Sequence, residues 1–459
     1  MRRVGFWLGV LALMQTISSS NAAIQESSFL DRVREATLPN GLKILVLPVT
    51  KAPVVTLQVW YRVGSRNEAL GRTGMSHLLE HLMFKETDKL GPEEFSKIIQ
   101  ANGGELNAFT SFDNTTYFET LSSDRLELVV ELEADRMMNL KLRPETVEPE
   151  KLVVMEERRL RSVDNPWGAL YEEAYAAAFR AHPYMWPIIG WMKDIESTTL
   201  DDIVGHYRLY YRPNNAVVVI AGNVDPDDAI ELVRNHFGSH DAGPVPPTVT
   251  AVEPAQIGER RVVVKKEANL PSILWLHKVP NARHPDAFAL EVLATLLSDG
   301  DSSRLYRRLV IEQRLVLDVS AENPLLSVDP GLFTIAAQVL PGKDPRKVEQ
   351  ALEREMGELK EKPVGERELA KAKNQIEADF VFAQDSNFYQ AMLLARFEFL
   401  GDWRGLGQYL PAIRRVTAED VQRVAREYLV DDRRTVAVLI PTGAPKTPVA
   451  AAAPSTILH

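Results

Sequence analysis

Thr199-Leu-Asp-Asp-Ile203 opens a helical pattern that runs to Tyr210 and is followed by the apolar strand Ala216-Val-Val-Val-Ile-Ala221. The same order returns 218 residues later, where Thr417-Ala-Glu-Asp-Val421 leads to Tyr428 and then to Thr435-Val-Ala-Val-Leu-Ile440. Each Thr stands ahead of acidic residues in the coming first turn, which is how a helix start looks: the hydroxyl serves a free backbone N–H and the acids face the positive helix end. Upstream, Val54 to Tyr61 and Ser272 to His277 are both β-rich runs carrying a Trp, each ahead of a helix-like stretch. Helix-then-strand units are common in any α+β protein, so one shared pattern would decide little. Two pairs in the same order at similar offsets favour an internal duplication.

Working outward, Ser239 to Glu259 (SHDAGPVPPTVTAVEPAQIGE) is rich in Pro, Gly, Ala and Thr and reads as an extended linker between the repeats. Leu42 to Leu47 and Val54 to Val63 read as neighbouring strands, Thr73 to Phe84 as a helix and Leu126 to Leu140 as a long amphipathic helix. Strands and helices are grouped rather than strictly alternating, so the expected class is α+β. The N-terminus has the basic, apolar and small-residue order of a secretory signal: Met1-Arg2-Arg3, an apolar run from Val4 to Met14, then Ser20-Asn21-Ala22-Ala23. That run is far short of the roughly 20 residues that span a bilayer. Cleavage after Ala22 or Ala23 is therefore expected, leaving an exported chain, periplasmic or secreted, without a transmembrane segment. The expected organisation is a signal over 1–22, a first half over 30–238, the linker over 239–259, a second half over 260–441 and a Pro- and Ala-rich disordered tail over 442–459.

The 459 residues are 45% hydrophobic and 25% charged, an ordinary globular balance. A net charge of −10 disfavours non-specific nucleic-acid binding, which needs basic surface to displace counterions. The chain contains no cysteine, so disulfides, thiolate nucleophiles and Cys-ligated metals are excluded and any metal must rest on His and carboxylates. Two of the nine histidines stand in His77-Leu78-Leu79-Glu80-His81. At about 100° per helical residue His77 and His81 lie one above the other on one face, able to converge on one ion. Glu80 flanks them, close enough to reach a bound water. This is the H-x-x-E-H arrangement, the inverse of H-E-x-x-H. Leu78, Leu79, Leu82, Met83 and Phe84 around it are apolar, so the polar trio would be at least half-buried, at a cost that a cation would offset.

Catalytic zinc takes three protein ligands and keeps one position open, so a carboxylate is wanted. The stretch Glu148-Pro149-Glu150 to Glu156-Glu157-Arg158-Arg159 reads as a helix with Pro149 near its start. Glu150 and Glu157, seven apart, share a face, whereas Glu156 points about 100° away. Geometry alone leaves either acid open, since each could instead pair with Arg158, Arg159 or Arg161.

With these residues in place, the chain resembles the pitrilysin/insulinase family of zinc metallopeptidases from about Leu38 to Pro441. The resemblance rests on Leu38-Pro-Asn-Gly-Leu42, Val63-Gly-Ser-Arg-Asn-Glu68, Gly74 to Lys85, Gly103-Gly-Glu-Leu-Asn-Ala-Phe-Thr110 and His182-Pro-Tyr184. It implies two homologous α/β-sandwich halves around a chamber. It also implies a Zn²⁺ on His77, His81 and Glu157, Glu80 as general base and proton donor, and Glu150 as the supporting acid. Asn107, Ala108, Phe109 and Thr110 would form the strand edge that takes an extended substrate. Active single-chain members carry an Arg and a Tyr seven residues apart in the second half, and those positions fall here on Val310 and Leu317. The departure implies a zinc-bearing subunit completed by a homologous partner. A non-catalytic homologue, acting as a peptide-binding or assembly subunit, is the alternative.

Overall fold

The computed structural model describes residues 29–443, so the expected signal over 1–22 and the tail from 444 onward lie outside the described residues. Among the described residues eleven strands form two sheets. The first holds β1 (Arg34–Thr37), β2 (Lys43–Pro48), β3 (Val54–Tyr61), β4 (Glu105–Thr110), β5 (Thr115–Ser122) and β6 (Ala216–Gly222), in the order β1-β2-β6-β3-β5-β4. The second holds β7 (Arg260–Lys266), β8 (Ser272–Val279), β9 (Val316–Glu322), β10 (Gly331–Val339) and β11 (Arg434–Pro441), in the order β7-β11-β8-β10-β9.

Without β1 the two orders coincide, and each sheet has one parallel pair at the matching place, β2 with β6 and β7 with β11. The duplication read from the sequence is thus present in three dimensions. Its helix starts agree in detail: Thr199 and Thr417 each accept a hydrogen bond from the N–H three residues on, and Asp202 and Asp420 reciprocate, a capping box in both copies. One expectation is corrected. β2 and β3 are not paired, because β6 enters between them, parallel to β2 and antiparallel to β3. The segment 239–259 contains no helix or strand. Within it Glu253 accepts the N–H groups of Arg180, Ala181 and His182 and pairs with Lys278, which ties it to both halves.

One face of each sheet is covered by helices of its own half, with separate cores on Leu57, Val59, Val129 and Val218 and on Trp275, Leu293, Phe333 and Leu352. The other face is covered from the opposite half. Ala391, Met392, Leu394 and Ala395 of helix Asn387–Phe399 pack on Leu45, Trp60, Val217 and Val219 of the first sheet. Leu170, Ala174 and Ala178 of helix Pro166–Ala178 pack on Leu274, Leu276, Ala437 and Leu439 of the second. Lys43 and Arg62 of the first half hold Glu398 of the second at 2.7 and 3.1 Å. Among the described residues no helix is long and apolar enough to cross a membrane.

Candidate metal centre

Helix Met75–Leu82 carries the His77–His81 motif, and its start is held unusually firmly. Gly74 has φ 88°, and a Cβ there would lie 2.4 Å from the carbonyl oxygen of Ile189, so only glycine fits. Glu68 accepts the N–H groups of Gly74 and Ser76, both at 2.7 Å, and Asp194 accepts the N–H and hydroxyl of Thr73 at 3.1 and 2.7 Å. Glu68 therefore serves two backbone donors at the helix start, and Asp194 fixes Thr73 just ahead of it. Leu78, Leu79 and Leu82 enter the first core, which leaves Glu80 and His81 half-buried and His77 7% exposed.

The second element is helix Pro144–Arg158. Its start lies four residues before the stretch expected from Glu148: Pro144 is at the beginning and Pro149 is inside the helix. Arg143 is extended, as the residue before a proline prefers, and this places the boundary there. Val147 and Val154 are buried, which turns Glu150 and Glu157 toward the motif helix and Glu156 outward, where it pairs with Arg159 at 3.0 Å.

His77, His81 and Glu157 offer donor atoms that all lie within 4.8 Å of one another, the one such cluster of three His, Asp or Glu found among the described residues. His77 Nε2 is 3.8 Å from Glu157 Oε1, and His81 Nε2 is 3.2 Å from Glu157 Oε2. His81 Nδ1 lies 2.9 Å from Glu150 Oε1, whose other oxygen is 2.6 Å from Lys85 Nζ. Because Glu150 can only accept there, Nδ1 carries the proton and Nε2 presents a lone pair to a second acceptor, Glu157. A proton or a cation must lie between them.

The charges agree. Burial pushes His77 down to about 4, so that ring is neutral and able to ligate. Burial opposes charge on His81 too, but its bonds to Glu150 and Glu157 outweigh that and push it up to about 9. Glu157 is resisted by burial yet drawn down to about 2 by His81, His77 and Arg161. His77 Nδ1 is buried without a hydrogen-bond partner, while the Nε2 of the same ring faces Glu157 Oε1. Two imidazoles and one carboxylate, converging around a space that calls for positive charge, fit a zinc ion with a fourth position open.

Glu80 Oε2 accepts a 2.6 Å hydrogen bond from Thr110 Oγ1, and burial raises its pKa despite that bond. Thr110 is the last residue of β4, an edge strand paired only with β5. Asn107, Ala108 and Phe109 lie on the same strand, where the Ala108 N–H donates to Asn107 Oδ1 at 2.9 Å, so the motif helix and the edge strand meet at the Glu80–Thr110 bond. Val310 is half-buried against the second core and Leu317 is 52% exposed on β9, so neither supplies a polar group. Sequence reading did not foresee the Glu68 and Asp194 clamp. Glu68 lay inside a quoted motif, whereas nothing local marks Asp194, which reaches Thr73 from 121 residues away.

A family model described as insulinase (peptidase family M16) matches residues 44–190, and one described as the peptidase M16 inactive domain matches residues 197–376. The chain is 38% identical over 429 residues to the zinc protease PqqE of Helicobacter pylori, covering 92% of this chain and 95% of that protein. A crystal structure of a protease from Helicobacter pylori superposes with a TM-score of 0.87 at 37% identity, over 89% of this chain and 99% of the other. The periplasmic protease PqqL of Escherichia coli shares the fold, with a TM-score of 0.74 at 16% identity, over 89% of this chain and 48% of that one.

Proposed function

The chain belongs to the insulinase family of peptidases, M16, and from that premise we propose that it is a zinc-dependent endopeptidase that cleaves peptides or unfolded protein segments in the cell envelope. The observation that carries this is the convergence of His77, His81 and Glu157 beside Glu80, itself bonded to the edge of β4. His77, His81 and Glu157 would hold the zinc, which when bound supplies Lewis acidity toward the scissile carbonyl and acidifies water. Glu150, backed by Lys85, fixes the His81 tautomer and ring orientation.

An extended substrate would add to β4 along Asn107–Thr110 through main-chain hydrogen bonds, which makes few demands on its sequence. Glu80 takes the proton of the attacking water and passes it to the leaving nitrogen as the C–N bond breaks; its raised pKa suits both tasks. An exported location is supported by the order of residues from Met1 to Ala23. A homologous partner closing a chamber over β4 and contributing Arg and Tyr is supported by Val310 and Leu317. These two positions also favour the second reading, a subunit that binds peptide without cutting it.

The test is metal content together with cleavage of a quenched fluorescent peptide, with and without chelator, for the chain alone and mixed with a homologue bearing Arg and Tyr at the two positions. Glu80→Gln should keep the metal and lose about 10² to 10⁴ in kcat. Peptide binding with no chelator-sensitive cleavage in either mixture would favour the second reading.

A further inference from the structure

Arg161 stands four residues beyond Glu157, where helix Pro144–Arg158 passes into a π-helical turn, Arg159–Val163. Such turns shift the side chains that follow them off the preceding α-helical faces and recur at functional sites. Its Nη2 lies 2.8 Å from Glu157 Oε1, the same oxygen that faces His77 Nε2. The side chain is 70% exposed, against 19% for Glu157. The stem is therefore in solvent while the guanidinium sits at the mouth of the donor cluster, where its charge acts on His77 and Glu80 as well as on Glu157.

The neighbouring cations are committed elsewhere. Lys85 is on Glu150, Arg158 makes two bonds to Glu172 at 3.0 and 2.8 Å, and Arg159 is on Glu156. In this i, i+4 pair the arginine side chain stands largely in solvent, so the guanidinium can exchange one acceptor for another at little cost. As water adds to a peptide carbonyl, negative charge gathers on the carbonyl oxygen, and a donor already aimed at that place stabilises it in a site partly screened from water.

Resting on the peptidase reading, we propose that Arg161 is a catalytic residue of this chain, donating to the scissile carbonyl oxygen as it gains charge. The water oxygen bonds to the carbonyl carbon, the C–N bond breaks, the water's proton reaches the leaving nitrogen through Glu80, and Arg161 keeps all its protons. The first half thereby brings its own cation to the reaction, independently of positions 310 and 317.

The alternative is a solvated helix pair with no part in the chemistry. Arg161→Met and Arg161→Lys would be compared with wild type for zinc stoichiometry, melting temperature, kcat and KM on the quenched peptide. Binding of a phosphinic peptide, whose charged oxygens imitate the developing oxyanion, would be measured alongside. The expected result for Arg161→Met is about a 100-fold loss of kcat and of phosphinic-peptide affinity, with KM, zinc and melting temperature unchanged and a partial recovery in Arg161→Lys. A kcat within twofold of wild type, or a loss fully accounted for by lost zinc, overturns the proposal while leaving the peptidase reading intact. No chelator-sensitive cleavage by wild type, alone or with the partner, overturns both.

Discussion

Arg136 offers the sharpest test of how the site is supported. It is fully buried between Glu119 and Glu133, with its guanidinium over the rings of Phe84, Phe95 and Tyr117 at 5.2, 4.2 and 4.3 Å. Phe84 follows closely on the helix that carries His77 and His81, and Tyr117 meets Tyr211 at 3.1 Å next to Glu80. One cation cannot neutralise two carboxylates. Burial and the neighbouring Glu133 push Glu119 well up, so the cluster is best described as Arg⁺, one carboxylate and one neutral carboxyl. Arg136→Met leaves a buried carboxylate without a partner, at a cost of about 3 to 5 kcal/mol. With an unfolding entropy of about 2.1 cal/mol/K per residue, a chain of about 400 residues unfolding as one unit should lose about 3 to 6 °C in Tm. The first half melting alone would lose about twice that.

The loss should depend on pH with a definite sign. In the variant the folded state binds one more proton than in wild type wherever the orphaned carboxyl is neutral, so its stability falls as pH rises above the ordinary carboxylate range near 4.3. The gap to wild type should therefore widen from pH 5 toward pH 8, by at most about 1.4 kcal/mol per unit. Adding Glu133→Leu and Glu119→Gln to Arg136→Met should recover most of the loss. Calorimetry across that pH range reads all of this. A deficit under about 1 kcal/mol, or a gap flat with pH, would refute the electrostatic account of the cluster.

Glu150→Gln should weaken zinc about 10- to 100-fold, seen by competition with a chromogenic chelator, because His81 loses its anionic partner; unchanged affinity would remove Glu150 from the site's support. Glu291 of helix Asp286–Ser298 is pushed by burial up to about 7, against the pull of the Asn323 amide at 3.0 Å. Its folded form holds a proton that the unfolded chain releases near 4.3, so wild type should lose stability between about pH 4.3 and 7 and then level off. Glu291→Gln should show no such loss, and parallel stability curves for the two proteins would contradict it.

The duplication was legible because it repeats local chemistry: Thr199 and Thr417 are caps whose partners lie three residues away. The triad was legible in part for the same reason, since His77 and His81 are placed by helix geometry alone. Glu157 needed the family resemblance, because a helix fixes a face and not its neighbour. The insertion of β6 between β2 and β3 was invisible, being a matter of which apolar strand pairs with which across more than 150 residues. The start of the Glu157 helix was misplaced because Pro144 and Pro149 both look like first-turn prolines. Arg161 stood in view only as a salt-bridge candidate, and the π-helical turn that sets its place has no marker in the sequence.

The cross-packing of helices Pro166–Ala178 and Asn387–Phe399 makes each half the missing layer of the other. In assembly terms the molecule is a pseudo-symmetric dimer that happens to share one chain, and the tether over 239–259 adds effective concentration to the contacts that Glu253 makes with both halves. A nick in that tether would not liberate two working pieces. Either half made alone would bare the apolar surface that the other normally seals and be prone to stick to itself or to strangers. A protein built this way cannot shed the half that lacks the His77–His81–Glu157 cluster, because that half seals the other's sheet.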